Sequence, residues 1–331
     1  MSEYEVIVAE GVPESLVRVP GHREDGPILR IGVVQHAWRP DAAALAAELH
    51  EAIGLAAGAG ARIVFLPEIT LLRYPADGVP PPGTRADELA EPLVGGPTHA
   101  LAARAAAEYG IHVHASLYER TGAADGRGLN TAIVVAPSGE IVARTRKTHI
   151  PVTAGYYEDR WFAPGPAEDA YPVYEMPGIE GLRLGLPTCW DEWFPEVARA
   201  YGLAGANVLT YPTAIGSEPD HPGVDTEPLW RQVIVAHGIE NGLFMVVPNR
   251  TGSETRPNGS PGNEFYGSSF VSDPYGRILV RAPRDRRAVL VADLDLAQGR
   301  DWIDLFPFFR TRRADTYGPL ADPAEQDGTG A

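Results

Sequence analysis

The chain keeps one grammar almost from end to end: a short apolar run, then an alanine-rich stretch with helical spacing, then another apolar run. Leu29–Gln35 reads as a buried strand, and Asp41–Gly58 as a helix with Asp41 as its N-cap. Arg62–Leu66 is a second strand, Thr98–Tyr109 a helix ended by Gly110, and His112–Tyr118 and Thr131–Ala136 two more strands. The turn Pro137-Ser138-Gly139-Glu140 leads into Ile141–Lys147. The pattern returns as strand Leu182–Leu186, helix Pro195–Ala204, strand Asn207–Tyr211, helix Pro228–Gly242 and strand Phe244–Pro248. Phe270–Ser272 and Ile278–Arg281 flank the turn Asp273-Pro274-Tyr275-Gly276, and Val289–Leu294 closes the core. Strands interleaved with helices and hairpins predict one mixed α/β domain with two sheets and outer helices. That domain is expected over residues 28–320, after an extension at 1–27 that holds the apolar strip Val6-Ile7-Val8. The segment Thr251–Asn263 reads as a long loop rich in Gly and Pro, and 321–331 as a disordered tail.

Charge narrows the partners. The 28 basic and 44 acidic side chains give a formal charge of −16, which argues against nucleic acid or an anionic membrane surface. The start, Met1-Ser2-Glu3-Tyr4-Glu5, is acidic and lacks the basic and apolar regions of a secretory signal, and no apolar run reaches the length of a membrane span. A cytoplasmic location is expected. Cys189 is the single cysteine, so an intramolecular disulfide and a cysteine metal cage are both excluded. The glycines around Gly54–Gly60 lack the Lys-Ser or Lys-Thr of a phosphate loop.

Three chemistry-bearing residues stand at strand ends. Cys189 follows Leu182–Leu186 through Pro187-Thr188, where the chain turns sharply before a helix. A nucleophile there is exposed at a strand end, with backbone N–H groups near enough to hold an oxyanion. A buried structural cysteine is the plainer reading of a lone thiol. Glu68 follows Arg62–Leu66 and Pro67, and Lys147 ends Ile141–Lys147. Either charge alone reads as a loop residue; carboxylate, ammonium and thiol together supply what a thiol nucleophile needs.

The segments Phe65-Leu66-Pro67-Glu68, Arg146-Lys147-Thr148-His149-Ile150-Pro151 and Cys189-Trp190-Asp191-Glu192-Trp193-Phe194-Pro195-Glu196 resemble, in order and wording, the signatures of the nitrilase superfamily of carbon–nitrogen hydrolases. The resemblance runs from about Ile28 to Leu320. It implies a four-layer αββα sandwich of two mixed sheets with outer helices, paired into homodimers or larger homo-oligomers, with no cofactor and no metal. It makes Glu68 the general base, Cys189 the nucleophile, and Lys147 with the backbone N–H of Trp190 the oxyanion partners. Gly155–Gly165 resembles the loop bearing the family's second glutamate, assigned to Glu158 with Asp159 as the competing choice. His149 either orients this loop or is a structural histidine.

Tyr211–Pro219, Pro248–Gly252, Phe265-Tyr266-Gly267 and Phe309–Gly318 resemble the N-carbamoylputrescine amidase branch, and the β-ureidopropionases share the Asn249-Arg250 pair. The implied substrate is a small N-carbamoyl amide, cleaved to ammonia and CO2. Relatives acting on N-carbamoyl-D-amino acids carry arginines just after the nucleophile segment, where this chain has Glu192 and Trp193. Glu192 there would favour an ammonium over a carboxylate, or would cap the following helix; Trp190 and Trp193 would form an apolar wall. Arg250 is the candidate partner should the substrate carry a carboxylate. Pro187 removes a ladder N–H before the nucleophile, a departure from the branch. A β-ureidopropionase acting on N-carbamoyl-β-alanine, or a nitrile hydrolase or aliphatic amidase, is the alternative within the superfamily. Outside it stand a metal amidohydrolase, suggested by His112-Val113-His114, and a non-catalytic assembly protein.

Overall fold

In the computed structural model, which describes residues 3–18 and 27–322, the apolar runs form two large sheets laid face to face. The first has eight strands. Seven follow the order Glu5–Val8, Ala288–Asp295, Ile28–Gln35, Ile63–Phe65, His112–Glu119, Gly128–Val135 and Ile141–Arg146, and Phe162–Ala163 pairs beside Gly128–Val135. The second has six, in the order Val173–Glu175, Arg183–Gly185, Val208–Thr210, Phe244–Val247, Phe270–Ser272 and Ile278–Arg281. Ile31, Val33, Phe65 and Val134 of the first sheet meet Leu184, Val208, Val246 and Val271 of the second in one buried cluster.

The outer faces are covered by helices. Leu45 and Leu49 of Ala42–Gly58, with Leu101 and Ala105 of Pro97–Tyr109, pack on Val64, Val113 and Ile133. Val197 and Tyr201 of Pro195–Leu203, with Trp230 and Ile234 of Glu227–Asn241, pack on Leu209 and Met245. Helix, sheet, sheet, helix is the expected four-layer arrangement. Local signals act where the sequence places them. Asp41 caps the first helix by accepting from the Ala44 N–H at 3.0 Å, and Gly110 ends the second in the left-handed region at φ 67°.

Three features differ from the sequence reading. Part of the 1–27 extension belongs to the sheet: Glu5–Val8 pairs in parallel with Ala288–Asp295, turning Ile7 onto the core. Arg18 then reaches Asp295 at 2.6 Å and Asp301 at 2.9 Å. The segment read as a loop from Thr251 is a two-stranded hairpin, Thr251–Thr255 against Pro261–Tyr266. Its Gly and Pro residues occupy the connecting turn and the edges, which hides the pairing from a periodicity argument. Gln298–Leu305, to which the reading gave no element, is a helix. Residues 1–2, 19–26 and 323–331 lie outside the described residues, so the expected tail falls almost wholly among them.

Strand direction places the site. Ile63–Phe65 and His112–Glu119 are parallel, and Ile141–Arg146 runs the same way, two antiparallel steps on. Arg183–Gly185, Val208–Thr210 and Phe244–Val247 are mutually parallel. Glu68, Lys147 and Cys189 each follow the carboxyl end of one of these strands, where α/β sheets gather ligand-binding groups.

Candidate active site

Glu68 leaves the strand Ile63–Phe65 past Pro67 and is fully buried. An ionised carboxylate sealed from water needs hydrogen-bond donors on both oxygens. Oε1 accepts from Asn130 Nδ2 at 2.7 Å and from Lys147 Nζ at 2.9 Å, while Oε2 accepts from the Ala214 N–H at 3.0 Å. Asn130 lies on Gly128–Val135, and Ala214 follows the second-sheet strand Val208–Thr210. The two sheets therefore jointly orient one side chain.

Lys147 is equally sealed. Its Nζ also donates to Glu158 Oε2 at 2.7 Å, and Tyr74 OH donates to Glu158 Oε1 at 2.7 Å. Burial pulls the ammonium toward its neutral form, but the charges of Glu158 and Glu68 outweigh it and hold its pKa well above the ordinary lysine value. For Glu158, burial is the larger influence. It pushes the carboxyl up to about 7 against the pull of Lys147, and the Glu68 charge adds to the rise.

Cys189 opens the short helical turn Cys189–Trp193, directly beyond Arg183–Gly185 and Leu186-Pro187-Thr188. Its φ of 41° lies in the left-handed region, which costs a non-glycine residue about 1–3 kcal/mol and needs surrounding structure to impose it. The Cys189 N–H is held by the Pro212 carbonyl at 3.0 Å. Asp191 Oδ2 accepts from the Thr188 N–H at 3.0 Å. Asp191 Oδ1 takes the His149 N–H at 2.9 Å and meets His149 Nδ1 at 2.8 Å. The His149 ring stacks on Phe194 at 3.8 Å. His149 thus fastens the segment after Lys147 to the turn bearing Cys189. Burial raises the thiol pKa well above the free value, the Glu68 charge adds to this, and Lys147 opposes it. A resting thiol in that state needs a base to become a nucleophile. Trp190 sits in the first turn of a helical segment, where N–H groups lack an intrahelical acceptor.

Cys189 and Glu158 open onto a cavity of about 300 Å³ whose walls include Trp190, Trp193, Tyr156, Ile215 and Glu218. Glu218 was not foreseen. It is half-buried and burial raises its pKa, with His221 opposing. Neither Arg nor Lys lines this cavity among the described residues. Arg250 lies elsewhere, fully buried against the Glu68 turn. Glu192 does not line the cavity either. Burial keeps its carboxyl well above the usual range, and the helix Pro195–Leu203 has no side-chain cap. Asp159, the rival to Glu158, lies beyond it in the turn Glu158–Arg160, and only Glu158 reaches Lys147. His112 and His114 are embedded in the first sheet, with His114 at 5.6 Å from the Phe65 ring. No group of three or more His, Cys, Asp or Glu with metal-binding geometry occurs among the described residues.

The pattern of a family described as carbon-nitrogen hydrolase matches residues 30–304, nearly the whole of this framework. The chain belongs to the carbon-nitrogen hydrolase family. It is 36% identical over 233 residues to an N-carbamoylputrescine amidase of Arabidopsis thaliana, spanning 70% of this chain and 75% of that one. It is 33% identical over 292 residues to a citrullinase of Francisella tularensis subsp. tularensis, spanning 88% and 98%. A carbon-nitrogen hydrolase from Helicobacter pylori G27 superposes with a TM-score of 0.80 at 30% identity, covering 89% of this chain and 99% of that one. An amidase from Nesterenkonia sp. AN1 shares the fold at a TM-score of 0.68 and 23% identity, covering 91% and 100%. As a carbon-nitrogen hydrolase, this chain is an amidase acting on C–N bonds other than peptide bonds, and its single cysteine suits the nucleophile.

Proposed function

We propose that the chain hydrolyses a small N-carbamoyl amide with a cationic tail, N-carbamoylputrescine first, through a thioester on Cys189. The observation that carries this reading is the cavity wall. It holds Glu218 and aromatic faces but no Arg or Lys, so an ammonium finds a partner and a carboxylate finds none. The similarity to N-carbamoylputrescine amidases supports the same substrate.

In this reading Glu68 takes the thiol proton as the sulfur attacks the ureido carbon. Lys147 and the Trp190 N–H stabilise the oxyanion, and Glu158 holds Lys147 in place. Losing one such donor typically costs about 2.7–4 kcal/mol. The C–N bond breaks, and the proton on Glu68 passes to the leaving nitrogen, so ammonia departs. Glu68 then takes a proton from water, the hydroxide attacks the thioester, and the sulfur leaves, taking that proton back from Glu68 to restore the thiol. The released carbamic acid decomposes to amine and CO2.

Citrulline is the second reading, favoured by the citrullinase match, which spans nearly all of that relative. Citrulline presents the same ureido end, and its head carries both an ammonium and a carboxylate. The deciding experiment is ammonia release from N-carbamoylputrescine, citrulline and N-carbamoyl-β-alanine under identical conditions. Preference for N-carbamoylputrescine is expected, preference for citrulline selects the second reading, and preference for the purely anionic N-carbamoyl-β-alanine overturns both. Assembly into a homodimer or larger homo-oligomer is part of the proposal, and light scattering tests it.

A further inference from the structure

Arg250 follows the second-sheet strand Phe244–Val247 and has no exposed surface. Its guanidinium points at the chain around Glu68. Nε donates to the Glu68 carbonyl at 3.2 Å, and Nη2 donates to the same oxygen at 3.0 Å, to the Leu72 carbonyl at 2.7 Å and to the Ile69 carbonyl. Nη1 donates to Glu254 Oε1 at 2.5 Å. Ile69, inside this grip, has φ 47°, a left-handed conformation that a β-branched residue adopts only under constraint.

The bonds continue past Glu254. Its Oε2 accepts the Tyr74 N–H at 2.8 Å, and Tyr74 OH is the donor to Glu158. Glu158 holds Lys147, and Lys147 holds the Glu68 carboxylate. The circuit closes on itself: Glu68 is fixed at its backbone through Arg250 and at its side chain through Lys147. Glu254 belongs to the hairpin strand Thr251–Thr255, so this hairpin is the brace behind the site.

We propose that Arg250, with Glu254, is a positioning residue that sets where the Glu68 carboxylate stands relative to Cys189. The proposal rests on the reading of Glu68 as the base. A lysine at 250 keeps the charge but not the planar fork of donors, so it cannot grip three carbonyls and a carboxylate together.

Cys189 is the only thiol, so its alkylation by iodoacetamide reads the proton transfer to Glu68 without any substrate. The rate constant at neutral pH is compared for wild type, Arg250→Lys, Glu254→Gln and Glu68→Gln, each checked for a folded melting transition. Burial holds the resting thiol protonated, so it reacts only as its proton passes to Glu68. Misplacing the base therefore slows alkylation, whereas loosening the fold exposes the thiol and speeds it, so positioning and mere bracing have opposite signs. Arg250→Lys and Glu254→Gln are expected to react about 10- to 100-fold more slowly than wild type. Should Arg250→Lys fail to fold, Glu254→Gln decides alone. Wild-type or faster alkylation in folded variants, with Glu68→Gln slow, overturns the positioning role and spares the base. Wild-type alkylation in Glu68→Gln overturns the base reading and this proposal with it.

Discussion

Lys147 Nζ lies 2.7 Å from Glu158 Oε2, and both side chains are buried. With Glu68 on the other side at 2.9 Å, one buried ammonium serves two carboxylates. Glu158→Gln keeps the volume of the side chain and the contact with Tyr74 but weakens the hold on Lys147. Turnover of N-carbamoylputrescine is expected to fall about 100-fold, the scale on which a misplaced catalytic group is felt. The melting temperature should move by only a few degrees. Steady-state kinetics beside a thermal melt measure both, and a near-normal rate would return Glu158 to a structural role.

The same pair predicts a pH dependence of stability. Burial raises the Glu158 pKa from 4.5 to about 7 in the fold. A raised acid favours the folded state while protonated. Its contribution is fully present below about pH 4.5 and is lost as pH rises through 7. The loss is on the order of 3 kcal/mol. Melting curves of wild type and Glu158→Gln across this window should show the wild-type advantage shrinking with rising pH. An advantage that stays constant or grows contradicts the assignment.

Glu218 is the test of the substrate tail. Glu218→Gln removes the charge on the cavity wall and leaves the groups around Cys189 untouched. KM for N-carbamoylputrescine should rise about 10-fold, a loss of one exposed-to-buried charge contact, with kcat little changed. An unchanged KM would place the tail elsewhere.

The strand-end logic made Glu68, Lys147 and Cys189 legible, because a proline, a turn or a helix start marks each strand's end in the sequence. Glu158 was legible through the wording of its loop. Asn130, Ala214 and Tyr74 were not. They reach the site through sheet register and loop packing across distant parts of the chain, and no local pattern marks them. Polar Asn130-Thr131 in an otherwise apolar strand was the one available hint. Arg250 and Glu192 carry charges that suit substrate contacts, but residue type tells charge and not direction. Arg250 points at backbone carbonyls behind Glu68, and Glu192 is sealed away from the cavity. Glu5–Val8 reached the sheet by pairing with Ala288–Asp295, nearly the full chain length away, a partnership no neighbouring residue announces.

Asp191 links the nucleophile turn to the segment after Lys147 through the N–H groups of Thr188 and His149. Asp191→Ala leaves both donors without this acceptor, which should cost about 1–3 kcal/mol at the buried Thr188 N–H and lower both the melting temperature and turnover. A variant with wild-type stability would show that water replaces the carboxylate and that the turn holds its shape unaided.

In the proposed reaction Cys189 carries the acyl group of an N-carbamoyl amide. The decisive measurement is ammonia release from N-carbamoylputrescine by wild type and by Cys189→Ala. Steady release is expected from the wild type and none from the variant, whose melting temperature stays close to wild type. Release by Cys189→Ala at the wild-type rate would contradict it.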